Sequence, residues 1–213
     1  MLGRIQNELE RIYGISCSEC VEDFLLTETT PSSILPIHPW IHHTEEALLV
    51  EQSEDNLDVG LWVKPNLLEW SGQQSWEELW EKDLSEDTLQ KMGPLIEGVS
   101  HFVYLLWKAG RDHCVTQLEL ELQAEVDKFI LFSSGWGKHQ SRKVMQILFE
   151  EARWIPQLSD GEKERYHTAV KFASQYCESL RENYLNHSAE ELLPELRSFY
   201  RMGQSEKIWH IRH

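Results

Sequence analysis

The sequence predicts a mainly α protein, an irregular multi-helix bundle with one small β-hairpin near its N-terminal side. Three observations carry that prediction. Apolar residues recur at three-and-four spacing through most of the chain, which keeps them on one side of a helix. Ser or Thr followed three residues later by Glu, the capping-box sign of a helix start, occurs at Ser75, Thr116, Ser159 and Ser188. Strict apolar–polar alternation, the mark of a half-buried strand, is confined to a short region around residues 47–64.

Residues 94–132 form the segment around which the rest is expected to pack, a helical hairpin holding the longest apolar run. Its first arm carries Leu89, Met92, Ile96, Val99, Val103 and Leu106 on one stripe, widened by Leu95, Phe102 and Leu105. Gly93 and Pro94 interrupt it, because proline lacks an amide hydrogen and its ring clashes with the preceding turn; a kink or a fresh helix start is expected there. The second arm opens at Thr116, with Glu119 completing the box and Val115 and Leu120 as a hydrophobic staple. Leu118, Leu122, Val126, Phe129 and Ile130 then continue at helical spacing.

Before this hairpin, residues 2–13 read as an amphipathic helix with Leu2, Ile5, Leu9 and Ile12 on one face, ended by Gly14. Pro31, Pro36 and Pro39 exclude helix and central strand from the connector that follows. Residues 47–52 and 57–64 form the β-hairpin, with turn residues between them. Two strands are marginal in water, so the hairpin must lean on helices or gain a third strand, for which the tail segment 207–211 is available. Ser75 starts a short helix with Trp76, Leu79 and Trp80 on one side. After the hairpin of helices, Val144, Ile147, Leu148 and Ala152 mark one helix before Pro156. Tyr166, Val170, Ala173, Cys177, Leu180 and Tyr184 mark a long one from Ser159 to about residue 186. A last helix carries Leu196, Phe199 and Tyr200, its regular part delayed by Pro194. The 213 residues suit a single domain, with a possible subdivision into 1–72 and 73–213.

Composition bounds the function. The 36 acidic against 20 basic residues give a formal charge of −16, which argues against direct nucleic-acid or anionic-membrane binding. Residues 1–75 hold 13 acids and 3 bases and so account for −10 of it. No apolar run long enough to span a bilayer and no signal-peptide core is present in the sequence, and Cys17, Cys20, Cys114 and Cys177 fit a reducing compartment; a soluble cytoplasmic protein is expected. The single C-x-x-C of Cys17 and Cys20 lacks the second pair of a zinc quartet and reads as packing cysteine.

With no triad spacing, phosphate loop or dinucleotide fingerprint, the leading expectation is an acidic interaction or regulatory protein. It would be without catalytic activity or cofactor, and its protein partner would carry a basic or aromatic-binding surface. Trp62, Trp76 and Trp80 are its candidate contacts, since tryptophan is enriched at binding hot spots. Lys138, Arg142 and Lys143 are further contacts, a local basic patch in an acid-free stretch from Lys128 to Phe149; the same patch, beside a glycine loop, is also a candidate for a small anion or nucleotide.

The alternative is a metalloprotein of oxidase or hydrolase type using a transition metal. Folding the two central arms back across residues 110–114 puts Glu97 level with Lys128 and His101 level with Glu125. Glu97, His101, Glu121 and Glu125 then converge as carboxylate and imidazole ligands inside a bundle. The competing expectation is two interhelical pairs, Glu97 with Lys128 and His101 with Glu125, and a solvated Glu121. His38, His42, His43, His210 and His213 form a second, weaker metal possibility if the tail folds back onto the connector.

Overall fold

A computed structural model describes residues 1–27, 41, 43–53, 56–81, 85–150, 160–183 and 189–213. Within them the chain is mainly helical, with a small three-stranded sheet near the N-terminus. Helix α1 (Leu2–Tyr13) is followed by a 3₁₀ turn (Val21–Phe24), strand β1 (Leu25–Leu26) and the antiparallel strands β2 (Glu46–Gln52) and β3 (Leu57–Val63). Then come the short helices α2 (Pro65–Gly72) and α3 (Trp76–Glu81) and the two long central ones, α4 (Glu86–Ala109) and α5 (Gln117–Gly135). A short helix α6 (Ser141–Met145) runs into a π turn (Gln146–Glu150), and α7 (Asp160–Asn183), α8 (Ala189–Arg201) and α9 (Gln204–Arg212) complete the chain.

The central helices start where their caps place them. Ser85 Oγ accepts from the Thr88 amide at 3.1 Å and Thr116 Oγ1 from the Glu119 amide at 3.1 Å, each satisfying one donor that a helix start leaves without an intrahelical partner. Glu119 does not reach back to close the second half of its box. Its carboxylate is buried between Tyr104 and Lys108 of α4, a tertiary contact that outweighs a local cap.

Of the two outcomes expected at Gly93 and Pro94, a fresh start is ruled out, since one helix, α4, runs through both; the carbonyl that Pro94 cannot satisfy belongs to Gln90, which is exposed and within reach of water. Two expectations are corrected. Pro194 likewise sits inside α8 instead of delaying it. The third strand is β1, paired parallel to β3 through Leu25 with Leu61 and Leu26 with Trp62, while 207–211 lies in α9. That tail is held helical by burial of Lys207 on the core, where its ammonium reaches Gln123 Oε1 at 2.6 Å. The proline connector, the Ser159 and Ser188 caps and Tyr184 lie outside the described residues.

One apolar cluster joins the layers: Ile5 and Leu9 of α1, Leu61 of β3, Val99 and Phe102 of α4, Leu122 and Phe129 of α5, Ala173 and Cys177 of α7 and Phe199 of α8. Helix α5 lies between α4 and α7, and β2 and β3 pack against α4. Every residue of α5 from Leu122 to Ser133 is buried, so polar side chains along it are forced to find partners inside the protein. Among the described residues no helix is long and apolar enough to cross a membrane.

Val99 and Leu122 are both completely buried. Val99→Asp and Leu122→Asp each place an unpaired charge in this core and should lower the unfolding free energy by about 3 to 5 kcal/mol. Urea unfolding of the two variants checks it, and wild-type midpoints would place neither residue in the core.

Candidate metal centre

Glu97 and His101 stand one turn apart on α4, and Glu121, Glu125 and Lys128 occupy successive turns of α5, so each set shares a helix face. The two faces meet, and a third element closes the junction from the sheet side. Glu46, the first residue of β2, brings its carboxylate to His101. It can approach because residue 98 is glycine: a Cβ there would lie 2.9 Å from Leu61 Cδ1 and 3.1 Å from Glu46 Oε2. Glycine inside a helix costs roughly 1 kcal/mol relative to alanine, so close approach is the physical return for it.

Lys128 Nζ donates to Glu97 Oε2 and to Glu125 Oε1, each at 2.8 Å, with only 9% of its side chain exposed. The Tyr166 phenol of α7 stands near enough to Glu125 to influence that carboxyl. His101, equally buried, lies 4.0 Å through Nδ1 from Glu46 Oε2 and 4.0 Å through Nε2 from Glu121 Oε2. Neither distance is a hydrogen bond. His101 Nε2 and Glu46 Oε2 are buried with no hydrogen-bond partner among the described residues. Glu97, His101 and Glu121 each offer a donor atom within 4.8 Å of the others.

Electrostatics follows from four carboxylates sharing one lysine. Burial, then the charges of Glu97 and Glu121, push the Glu46 carboxyl well up. Burial and Glu97 raise Glu121 to about 8, and burial raises Glu125 despite Lys128. Burial would also raise Glu97, but Lys128 and then His101 bring it below the usual carboxylate range. Burial lowers His101, leaving a neutral imidazole near pH 7. Burial would lower Lys128 too, yet Glu125 and Glu97 hold it well above its ordinary value and keep it an ammonium.

Of the residues singled out in the sequence, Glu97, His101 and Glu121 are brought together, and Glu97 meets Lys128 as the hairpin register requires. His101 meets Glu121 and Glu46 in place of Glu125, which is held by Lys128. Glu46 escaped the sequence reading, because a two-helix register cannot place a strand; Gly98 inside the pattern Glu97–Gly98–His101 was the available sign of a close neighbour. Trp62 is buried beside Leu26 and Ile41. Trp80 packs edge-on to Trp76 and Trp136 at 5.1 and 4.9 Å and covers Gly135 so closely that a Cβ there would lie 2.2 Å from its ring. Arg142 and Lys143 are exposed on α6, with Arg142 near enough to Glu178 of α7 to help lower that carboxyl; Lys138 opens a 3₁₀ turn. His210 pairs with Glu195 at 2.7 Å and His213 with the Trp209 carbonyl at 2.9 Å, while His38 and His42 lie outside the described residues.

Comparison with protein-family models, with curated proteins and with solved structures finds no match. The chemistry is therefore read from this geometry alone.

Because the folded Glu121 carboxyl titrates near 8 against 4.5 ordinarily, the folded state holds a proton that the unfolded chain has released between those values. Stability of the metal-free protein must then fall as pH rises from about 4.5 to 8. Urea unfolding in EDTA at pH 5 and pH 8.5 should show that fall in the wild type and a clearly smaller one in Glu121→Gln. Equal falls would show that Glu121 is not buried in this charge cluster.

Proposed function

We propose that this protein binds a divalent first-row transition metal through Glu97, His101 and Glu121, with Glu46 standing at the other ring nitrogen of His101, and that this ion is the centre of its activity. The observation that carries the reading is the buried Nε2 of His101, without a hydrogen-bond partner among the described residues and directed at Glu121. An imidazole sealed in that way loses the hydrogen bonds water would give it, at roughly 1 to 3 kcal/mol, and a metal bond restores a partner. Donors on one ion of bond length about 2.0 to 2.2 Å lie at most about 4.4 Å apart. The three donors already lie within 4.8 Å of one another, so side-chain movements of a few tenths of an ångström bring them to that span.

One imidazole among carboxylates suits manganese, iron or zinc, and the absence of thiolate or thioether among these donors disfavours copper(I). Three protein donors leave room on the ion for water and substrate, the arrangement that a hydrolase or an oxidase requires. The acidic interaction protein expected from composition retains the support of its charge balance. Its tryptophan contacts have less, since Trp62 and Trp80 pack internally.

Protein made without a histidine tag, stripped with EDTA and titrated with Mn(II), Fe(II) or Zn(II), should take up ion and unfold at higher temperature. Binding at about 100 times Kd stabilises by roughly 2.7 kcal/mol. His101→Ala and Glu121→Gln should each weaken the affinity at least tenfold by calorimetric titration. Wild-type protein that neither binds nor is stabilised by any of the three ions would end the metal reading.

A further inference from the structure

We propose that Lys128 is a built-in second cation, so that this carboxylate cluster takes one metal ion where the same carboxylates without the lysine would take two. The inference rests on the metal reading above and adds the nuclearity of the site. Glu97 belongs to both halves of the cluster: it lies within ligand distance of His101 and Glu121, and its Oε2 accepts from Lys128 at 2.8 Å. A carboxylate shared in this way is what bridges the two ions of a dinuclear site, which stand about 3.5 to 4 Å apart. Lys128 Nζ also holds Glu125 at 2.8 Å. Glu97 and Glu125 thus make a carboxylate-lined position filled by an ammonium. Away from the ammonium, His101 has Glu46 and Glu121 each 4.0 Å from one of its ring nitrogens.

Charge supports the same count. Four carboxylates, one ammonium and one divalent ion leave a single negative charge at the junction, with Arg165 flanking Glu121. Two divalent ions beside the ammonium would leave an excess positive charge, in a place where buried charge of either sign is costly. Removing the lysine and adding a second ion restores neutrality among the four carboxylates. The ammonium therefore reserves the Glu97–Glu125 position, and the metal that binds acts singly. Chemistry that needs an oxygen held between two metals is excluded by the lysine, whereas polarising one bound water or substrate atom is not.

The test uses Mn(II), supplied throughout purification and then titrated to saturation, with stoichiometry read by native mass spectrometry and coupling by electron paramagnetic resonance. Wild type should hold one ion with an uncoupled six-line spectrum. Lys128→Met, which keeps the aliphatic stem, should hold two with an exchange-coupled spectrum. Lys128→Met with Glu125→Gln, which removes the far carboxylate along with the ammonium, should return to one. A folded Lys128→Met that still holds one ion overturns the proposal, as do two ions in wild type, both leaving the metal reading intact. No ion in wild type removes both. Should Lys128→Met fail to fold, the wild type and the double variant decide, one ion in each being required and two in either overturning it.

Discussion

The ammonium of Lys128, buried and hydrogen-bonded to Glu97 of α4 and Glu125 of α5, is the interaction on which the centre of this protein depends. Taking an ammonium and two carboxylates out of water costs several kcal/mol per ion, recovered only when the partners are well placed. Here that placement requires α4 and α5 to stand in one register, Tyr166 to bring α7 against Glu125, and Gly98 to admit β2 with Glu46. Such a junction adds little net stability compared with an apolar core, but it discriminates sharply against slipped packings. A shift of one helical turn would leave a buried charge alone.

A second buried polar network, on the side of α5 facing α1 and α9, shows what a purely structural solution looks like in the same protein. Asp127 Oδ1 accepts from the Tyr13 hydroxyl and from Gln123, and Oδ2 accepts from Ser100. Gln123 in turn accepts from Lys207. Burial raises Asp127 to about 6 and lowers Lys207 to about 7, yet both oxygens of Asp127 have donors. The cluster around Lys128 is built from the same residue types at similar burial, but leaves His101 Nε2 and Glu46 Oε2 without partners among the described residues. Nearly all buried polar groups in folded proteins are satisfied. A closed network and an open one thus stand on different sides of the same turns of one helix.

Much of this was legible in the sequence, and the exceptions share a cause. Periodicity along a single element, such as the stripe from Leu89 to Leu106, survives because the residues that carry it are close in the chain. The Thr116 cap was readable for the same reason, and the Glu97–Lys128 pair followed from a short turn between two helices. What failed depended on elements distant in sequence. His101 has Glu46 as a neighbour because a strand some fifty residues earlier packs on α4, and no helical wheel contains that strand. Segment 207–211 was available as a third strand but is helical, with Lys207 drawn into the core. The sequence left open whether Trp80 covers its own core or a partner, and Gly135, more than fifty residues on, supplies the flat surface that its ring covers.

Local rules are broken most densely at the carboxylate–histidine cluster. A glycine sits inside a long helix, four carboxylates crowd one lysine, and an imidazole is buried without a hydrogen bond among the described residues. Sequences that specify one fold usually keep propensity, packing and polar satisfaction in agreement, and depart from that agreement where function requires it. Each departure here costs the metal-free protein something: backbone entropy at Gly98, desolvation and repulsion at Glu46 and Glu121, an unmade bond at His101. A divalent ion would offset the last three together, since it would supply positive charge to the carboxylates and a lone-pair acceptor to the imidazole. On the proposed reading that common remedy joins otherwise separate irregularities into one site.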